Sequence, residues 1–216
     1  MFATLPDDFF IEGIAFDGFG NLFVVALDET VAELPATIYK ITPGGVVSTF
    51  GSTPGPCFGL EFDRAGNLFV ADALDQIIYK FTPDGTRTVF VGPSAFMPDS
   101  GPVGLAFDVL WNLFVSIEPG TPSGNDTILK FTPDGVGSTF ASGLDYPRGL
   151  AFDRGGNLFV ADMGLFAPPG AVLKFTPDGT GTVFAVPPQV PQFLALQLLP
   201  TPRPRPSPHP RSMPQP

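Results

Sequence analysis

The chain carries one histidine, one cysteine and one tryptophan in 216 residues. The histidine, His209, stands in a proline-rich C-terminal stretch, so the body of the chain has no imidazole to act as general base or to activate a nucleophile. Cys57 cannot form an internal disulfide, and its setting, Pro54-Gly55-Pro56-Cys57-Phe58-Gly59, reads as a loop with an incidental half-buried thiol. Basic residues are scarce, 11 against 21 acidic, for a formal charge of −10. An acidic body repels phosphate, which excludes nucleic acid as the expected partner. The N-terminus has neither a basic start nor a sustained apolar run, and no stretch reaches the ~18 apolar residues that span a bilayer. The sequence therefore predicts a soluble chain with no membrane span and no export signal of its own.

What the chain does have is a repeat. Asn-Leu-Phe-Val begins at Asn21, Asn67, Asn112 and Asn157, at spacings of 46, 45 and 45 residues. Before each copy stands Gly-Ile/Leu-Ala/Glu-Phe-Asp, and after it Tyr/Leu-Lys-Phe/Ile-Thr-Pro and then Ser/Thr-Thr/Val-Phe. A period of about 40–50 residues with four short apolar runs predicts an all-β array of four-stranded blades. The repeats fall at about 13–50, 59–90, 104–140 and 149–184, within a domain of residues 1–186. Sixteen aromatic slots line up, four per repeat, and all but Ile41 are phenylalanine. One ring per strand at a fixed place predicts core filling between sheets packed about 10 Å apart.

Asp-x-x-Gly-Asn separates the first two strands at Asp17, Asp63 and Asp153, and the aspartates read as turn caps with glycine supplying the positive φ. The third repeat has Trp111 in the glycine's place, which predicts a remodelled turn or an exposed contact residue. Thr-Pro-Asp/Gly-Gly gives a second uniform reversal between the third and fourth strands. The connections from second to third strand (26–36, 73–76, 117–127, 163–170) and between repeats vary in length. Alternating strands put both variable sets on one side of the disc, so that side is free to specialise. It carries Glu12, Asp28, Glu29, Glu33, Asp72, Asp75, Asp99, Glu118, Asp126, Asp145 and Asp162, with Arg148 the main basic exception, and it is expected to be acidic. The candidate ligand-binding residues are Glu12, Asp72, Glu118, Arg148 and Asp162, with Trp111 as a further contact residue. Lys40, Lys80, Lys130 and Lys174 share one third-strand slot, a recurrence that fits a structural position on the blade.

Gly149-Leu-Ala-Phe-Asp-Arg-Gly-Gly-Asn-Leu-Phe-Val-Ala-Asp162 followed by Leu173-Lys-Phe-Thr-Pro-Asp-Gly179 resembles the NHL repeat. The resemblance implies a propeller, six-bladed in most members, used as a binding platform, and it suggests a bacterial, extracytoplasmic origin. More distantly the chain is similar to the gluconolactonase and senescence-marker-protein group and to the streptogramin lyases. Glu12-Gly13 resembles the Glu-Gly-Pro motif from which the lactonase group draws a metal-binding glutamate, so Glu12 becomes a candidate ligand for a divalent cation such as calcium. The proline is missing, and the corresponding residues in later repeats are Phe58, Val103 and Arg148. The lyase group works with a histidine base that these repeats lack. The function expected is a non-catalytic scaffold, with no cofactor, offering its acidic loop face to a protein, glycan or cationic ligand. A metal-dependent lactonase-like hydrolase and a fragment without its own function are the alternatives.

Phe2 to Pro6 matches Phe140 to Leu144, so the chain opens inside a fourth strand. Four repeats then predict an open arc or a truncated six-bladed ring, with blade edges exposed for self-association and a genuine four-bladed ring as the alternative. From Pro187 to Pro216 periodicity stops and eleven of thirty residues are proline, which predicts a disordered tail. Phe193-Leu194-Ala195-Leu196-Gln197 resembles the run before a Pro-Glu-Pro sorting signal, with Arg-Pro and Ser-Pro pairs where the acidic motif would stand.

Overall fold

A computed structural model describes residues 5, 9–28, 35–119, 126–164 and 170–186. The proline-rich tail and, apart from Leu5, the Phe2–Pro6 segment lie outside the described residues, as do Glu29 and Glu33. The first blade comprises β1 (Phe9–Phe16), β2 (Leu22–Asp28), β3 (Ala36–Ile41) and β4 (Val47–Thr53), and the second β5 (Cys57–Phe62), β6 (Leu68–Asp72), β7 (Ile77–Phe81) and β8 (Arg87–Val91). The third is β9 (Ser100–Phe107), β10 (Leu113–Pro119), β11 (Asp126–Phe131) and β12 (Gly137–Leu144). The fourth is β13 (Pro147–Phe152), β14 (Leu158–Asp162), β15 (Ala171–Phe175) and β16 (Gly181–Ala185). Strand order within each antiparallel sheet follows chain order, and β1, β5, β9 and β13 pack side by side along the axis of a propeller. Among the described residues the one helical element is a single 3-10 turn at Pro93–Ala95, and no helix is long and apolar enough to cross a membrane.

The turns form as their residue types dictate. Asp17 accepts the backbone N–H of Phe19 at 2.9 Å and of Asn21 at 2.8 Å through Oδ1, and the Asn21 amide at 2.7 Å through Oδ2. Asp63 and Asp153 repeat the pattern. The third turn, expected to be remodelled, keeps the same bonds to Asp108 from Leu110, Asn112 and the Asn112 amide. Trp111 takes the glycine's left-handed conformation at φ 65°. Its ring sits 5.8 Å from that of Phe107 and under the Arg64 guanidinium, contacts that offset the backbone strain.

The hydrophobic core is divided into three layers, each between neighbouring blades. At every junction the second-strand phenylalanine stands edge-on between two rings. Phe23 meets Phe50 of its own blade and Phe62 of the next, both at 4.9 Å; Phe69 meets Phe90 at 4.9 Å and Phe107 at 5.1 Å; Phe114 meets Phe140 at 4.9 Å and Phe152 at 5.0 Å. The equivalent lysines lie over these rings, Lys40 on Phe23, Lys80 on Phe69, Lys130 on Phe114 and Lys174 on Phe159, at 5.3–5.6 Å. Their fourfold recurrence is thus a packing device.

The expectation of core phenylalanines fails at the two ends of the array. Phe16 is 65% exposed and Phe184 62%, because neither has a blade against its outer side. Among the described residues β13 does not pack on β1 as the other neighbouring first strands do. The arc is open.

Phe114→Ala removes a ring with neighbours on both sides and is expected to lower unfolding free energy by ~3–5 kcal/mol. Leu110→Ala, at a 72% exposed side chain in the turn between β9 and β10, should cost less than about 1 kcal/mol. Urea unfolding of the two variants measures the contrast.

Candidate functional site at the channel mouth

Each first strand carries one extra residue against its neighbour, at the same place in all four blades. Pairing slips between Ile11 and Gly13, between Cys57 and Leu60, between Pro102 and Leu105, and between Pro147 and Leu150. These β-bulges occupy the start of each inner strand, on the variable side, and place Glu12, Phe58, Val103 and Arg148 around the mouth of the central channel. The glycine that follows each of them is a requirement of close approach. A methyl group on Gly13 would overlap the Phe58 carbonyl oxygen, one on Gly59 that of Val103, and one on Gly104 that of Arg148.

Two connected spaces open there. A cleft of about 660 Å³ is lined by the apolar Pro56, Phe58 and Leu74 and by the polar Gln76, Asp99, Glu118 and Arg148. Phe58 and Arg148 also border the channel, about 340 Å³, which holds Glu12 and Glu61. Arg148 donates from Nη2 to both Glu118 oxygens, at 3.1 and 2.9 Å, bridging blades three and four. The side chains are 41% and 26% exposed, so the pair orients the guanidinium more than it stabilises the fold. Behind it the buried Ser116 hydroxyl donates to the Arg148 carbonyl at 2.9 Å and accepts from the Gly104 N–H at 2.8 Å, fixing the Arg148 backbone. Gln76 (φ 56°) and Asp99 (φ 59°) hold left-handed backbone at the rim, and the Gln76 amide donates to the Ser100 carbonyl at 2.6 Å.

Of the residues singled out by sequence, Glu118 and Arg148 meet in the cleft and Glu12 lies beside them in the channel wall. Asp72 and Asp162 stand at the ends of second strands and serve the loops. Asp72 accepts the Asp75 N–H at 3.0 Å, and Asp162 accepts that of Asp145 at 2.9 Å; burial pushes both carboxyls above their ordinary range. Trp111 is at the opposite end of the strands from Arg148. Asp72, Asp126 and Asp145 are buried, so part of the acidity expected on this surface is internal. Cys57 is fully buried at the start of β5 against the Thr53 hydroxyl, and burial drives its thiol pKa far up, leaving it unreactive.

Glu61 was not among those residues. It occupies the slot held by Ala15, Ala106 and Ala151 in the other blades, and that lone charge in an alanine column was its sequence signal. Burial in the channel pushes its carboxyl up to about 7. As for a metal, among the described residues no three His, Cys, Asp or Glu side chains converge. Among the described residues, Glu12 and Glu61 are the carboxylates lining the channel.

No family model matches the chain, and no curated protein matches its sequence. Solved structures match its shape. A catalytically inactive variant of virginiamycin B lyase from Staphylococcus aureus, solved with quinupristin, superposes with a TM-score of 0.63 at 18% identity, over 85% of this chain and 58% of that one. The chain is a β-propeller. A calcium-binding protein, regucalcin, from Agrobacterium tumefaciens gives 0.60 at 14% identity over 74% of this propeller and 57% of its own length. A proposed gluconolactonase gives 0.57 at 20% identity over 83% and 64%. The propeller therefore spans less than two thirds of each of these proteins, and at such identities the likeness is one of fold.

Glu61 generates a pH prediction. Folding raises its carboxyl pKa from an ordinary 4.5 to about 7, so the folded state holds the proton more tightly. Its contribution to stability is complete below the lower value and is lost as pH rises through the upper one. Glu61→Gln should stabilise the protein above neutral pH by ~1–2 kcal/mol, under the ~3 kcal/mol the full shift would represent, and leave it unchanged at acid pH. Paired urea titrations at the two pH values read this difference.

Proposed function

We propose that this propeller is a non-catalytic binding protein whose channel-mouth cleft takes a small amphipathic cation. The observation that carries this reading is the composition of the cleft, whose lining combines the apolar Pro56, Phe58 and Leu74 with the carboxylates of Asp99 and Glu118. Glu118 neutralises Arg148, and Asp99 adds a further carboxylate to the lining, with no ion pair among the described residues. A cleft of about 660 Å³ suits a small molecule, the apolar residues supply the affinity, and the carboxylates select the sign of charge. Calorimetry with phenethylammonium and its uncharged analogue phenethyl alcohol tests the reading. The cation is expected to bind more tightly, and Asp99→Asn and Glu118→Gln are each expected to weaken it at least ~10-fold, about 1.4 kcal/mol. Equal binding of cation and alcohol, or none of either, rejects it.

A second reading is a lactonase-like hydrolase in the same space. It draws on the names of the proteins similar in shape, a lyase and a proposed gluconolactonase, and on Glu61. A channel carboxyl near neutrality can take a proton from water at physiological pH. Hydrolysis of a simple aliphatic lactone, rising with pH through about 7 and abolished by Glu61→Gln, would support it. Absence of turnover across that range leaves the binding reading alone.

A further inference from the structure

The two ends of the arc are halves of the junction that the chain builds internally three times. At each internal junction three features recur: a second-strand phenylalanine between two rings, a first-strand glycine against the next blade's bulge carbonyl, and a buried or partly buried leucine on the next blade's first strand, Leu60, Leu105 or Leu150. Blade four offers the first half of each. Phe159 meets Phe184 at 4.9 Å and, among the described residues, lacks the third ring that Phe23, Phe69 and Phe114 have. Among the described residues Gly149 has no carbonyl against it, and an added Cβ would meet the Ala161 methyl at 3.6 Å. Ala151 and Ala161 are exposed where Ala106 and Ala71 are buried.

Blade one offers the other half. Phe16, equivalent to Phe62, Phe107 and Phe152, is 65% exposed. Ile14 is 62% exposed where Leu60 and Leu105 are 6%, and Ile11 is 56% exposed where Cys57 is fully buried. Glu12 stands at the bulge, equivalent to the residues whose carbonyls meet the glycines of the preceding blades.

We infer that blade four of one copy stacks on blade one of a second copy, head to tail, setting Phe16 against Phe159 and the Glu12 carbonyl against Gly149. The contact is heterologous, and two copies satisfy all four ends by closing a ring. Two four-bladed arcs make eight blades, at the upper end of the ~4–8 that propellers use. The stacking continues the series of internal junctions with the same side chains and the same register. Ile11, Ile14, Phe16 and Phe184 are each more than half exposed, and a closed pair would cover them as part of the ~800 Å² per partner of a standard interface.

Sedimentation of the full chain at micromolar concentration tests this, with circular dichroism to verify folding of each variant. Wild type is expected at twice the monomer mass, unchanged on further concentration. Gly149→Val has room within its own chain but places a side chain where the partner's carbonyl must come, and Phe16→Asp charges the opposite face; each variant alone should sediment as a monomer. Mixing the two leaves one junction intact, between blade one of the Gly149→Val copy and blade four of the Phe16→Asp copy, and should restore a dimer. A monomeric wild type, a mass that keeps growing with concentration, or variants that keep the wild-type mass would each overturn the two-copy ring. None of these readouts involves the cleft, so the outcome is independent of what it binds.

Discussion

The stacking of one blade on the next through an interposed phenylalanine is the interaction on which everything else rests. Each four-stranded sheet presents two apolar faces, and neither can be buried within the sheet itself. Phe23, Phe69 and Phe114 solve this by reaching across to the following blade while the ring of their own fourth strand closes behind them. The edge-to-face geometry adds an electrostatic preference to the burial of large rings, and the lysine over each ring covers its remaining exposed face. Stability in such an array is a sum over neighbours, and the two terminal faces are where that sum stops.

The same repetition builds the site. A bulge at the start of every first strand turns one residue toward the channel, and the glycine after it lets the next blade's backbone come into contact. The scaffold is therefore indifferent to what occupies the bulge, and Glu12, Phe58, Val103 and Arg148 differ freely in charge and size. Chemical individuality enters only at such positions and in the variable loops. Arg148 shows how it is fixed: Ser116, in a slot that is Ala71 and Ala161 in the neighbouring blades, holds its carbonyl, and Glu118 holds its guanidinium.

Much of this was legible beforehand. The strand count, the uniform turns and the sidedness of the disc follow from the period and from turn chemistry, and Asp17, Asp63 and Asp153 act as the caps they resemble. The turn at Asp108 misled because the loss of glycine suggested remodelling, whereas the bonds to aspartate proved strong enough to hold Trp111 at positive φ. The site was legible in part. Glu118 and Arg148 could be placed on the correct side, but their pairing joins residues thirty positions apart on different blades. Asp72 and Asp162 look like surface acids in sequence because a carboxylate serving a backbone N–H and one facing solvent are written with the same letter.

The sequence by itself determined the blade, because hydrophobic alternation and turn residues act over a few neighbours and repeat four times. Tertiary structure alone decided which of the equivalent phenylalanines are core and which are surface, since Phe16 and Phe62 sit in the same Gly-x-x-Phe-Asp-x-x-Gly-Asn frame and a further blade lies against only the second. It also decided that a lone Glu61 lines the channel with a carboxyl near neutrality. Burial and the field around a charge belong to the assembled shape, and no local stretch of chain specifies them.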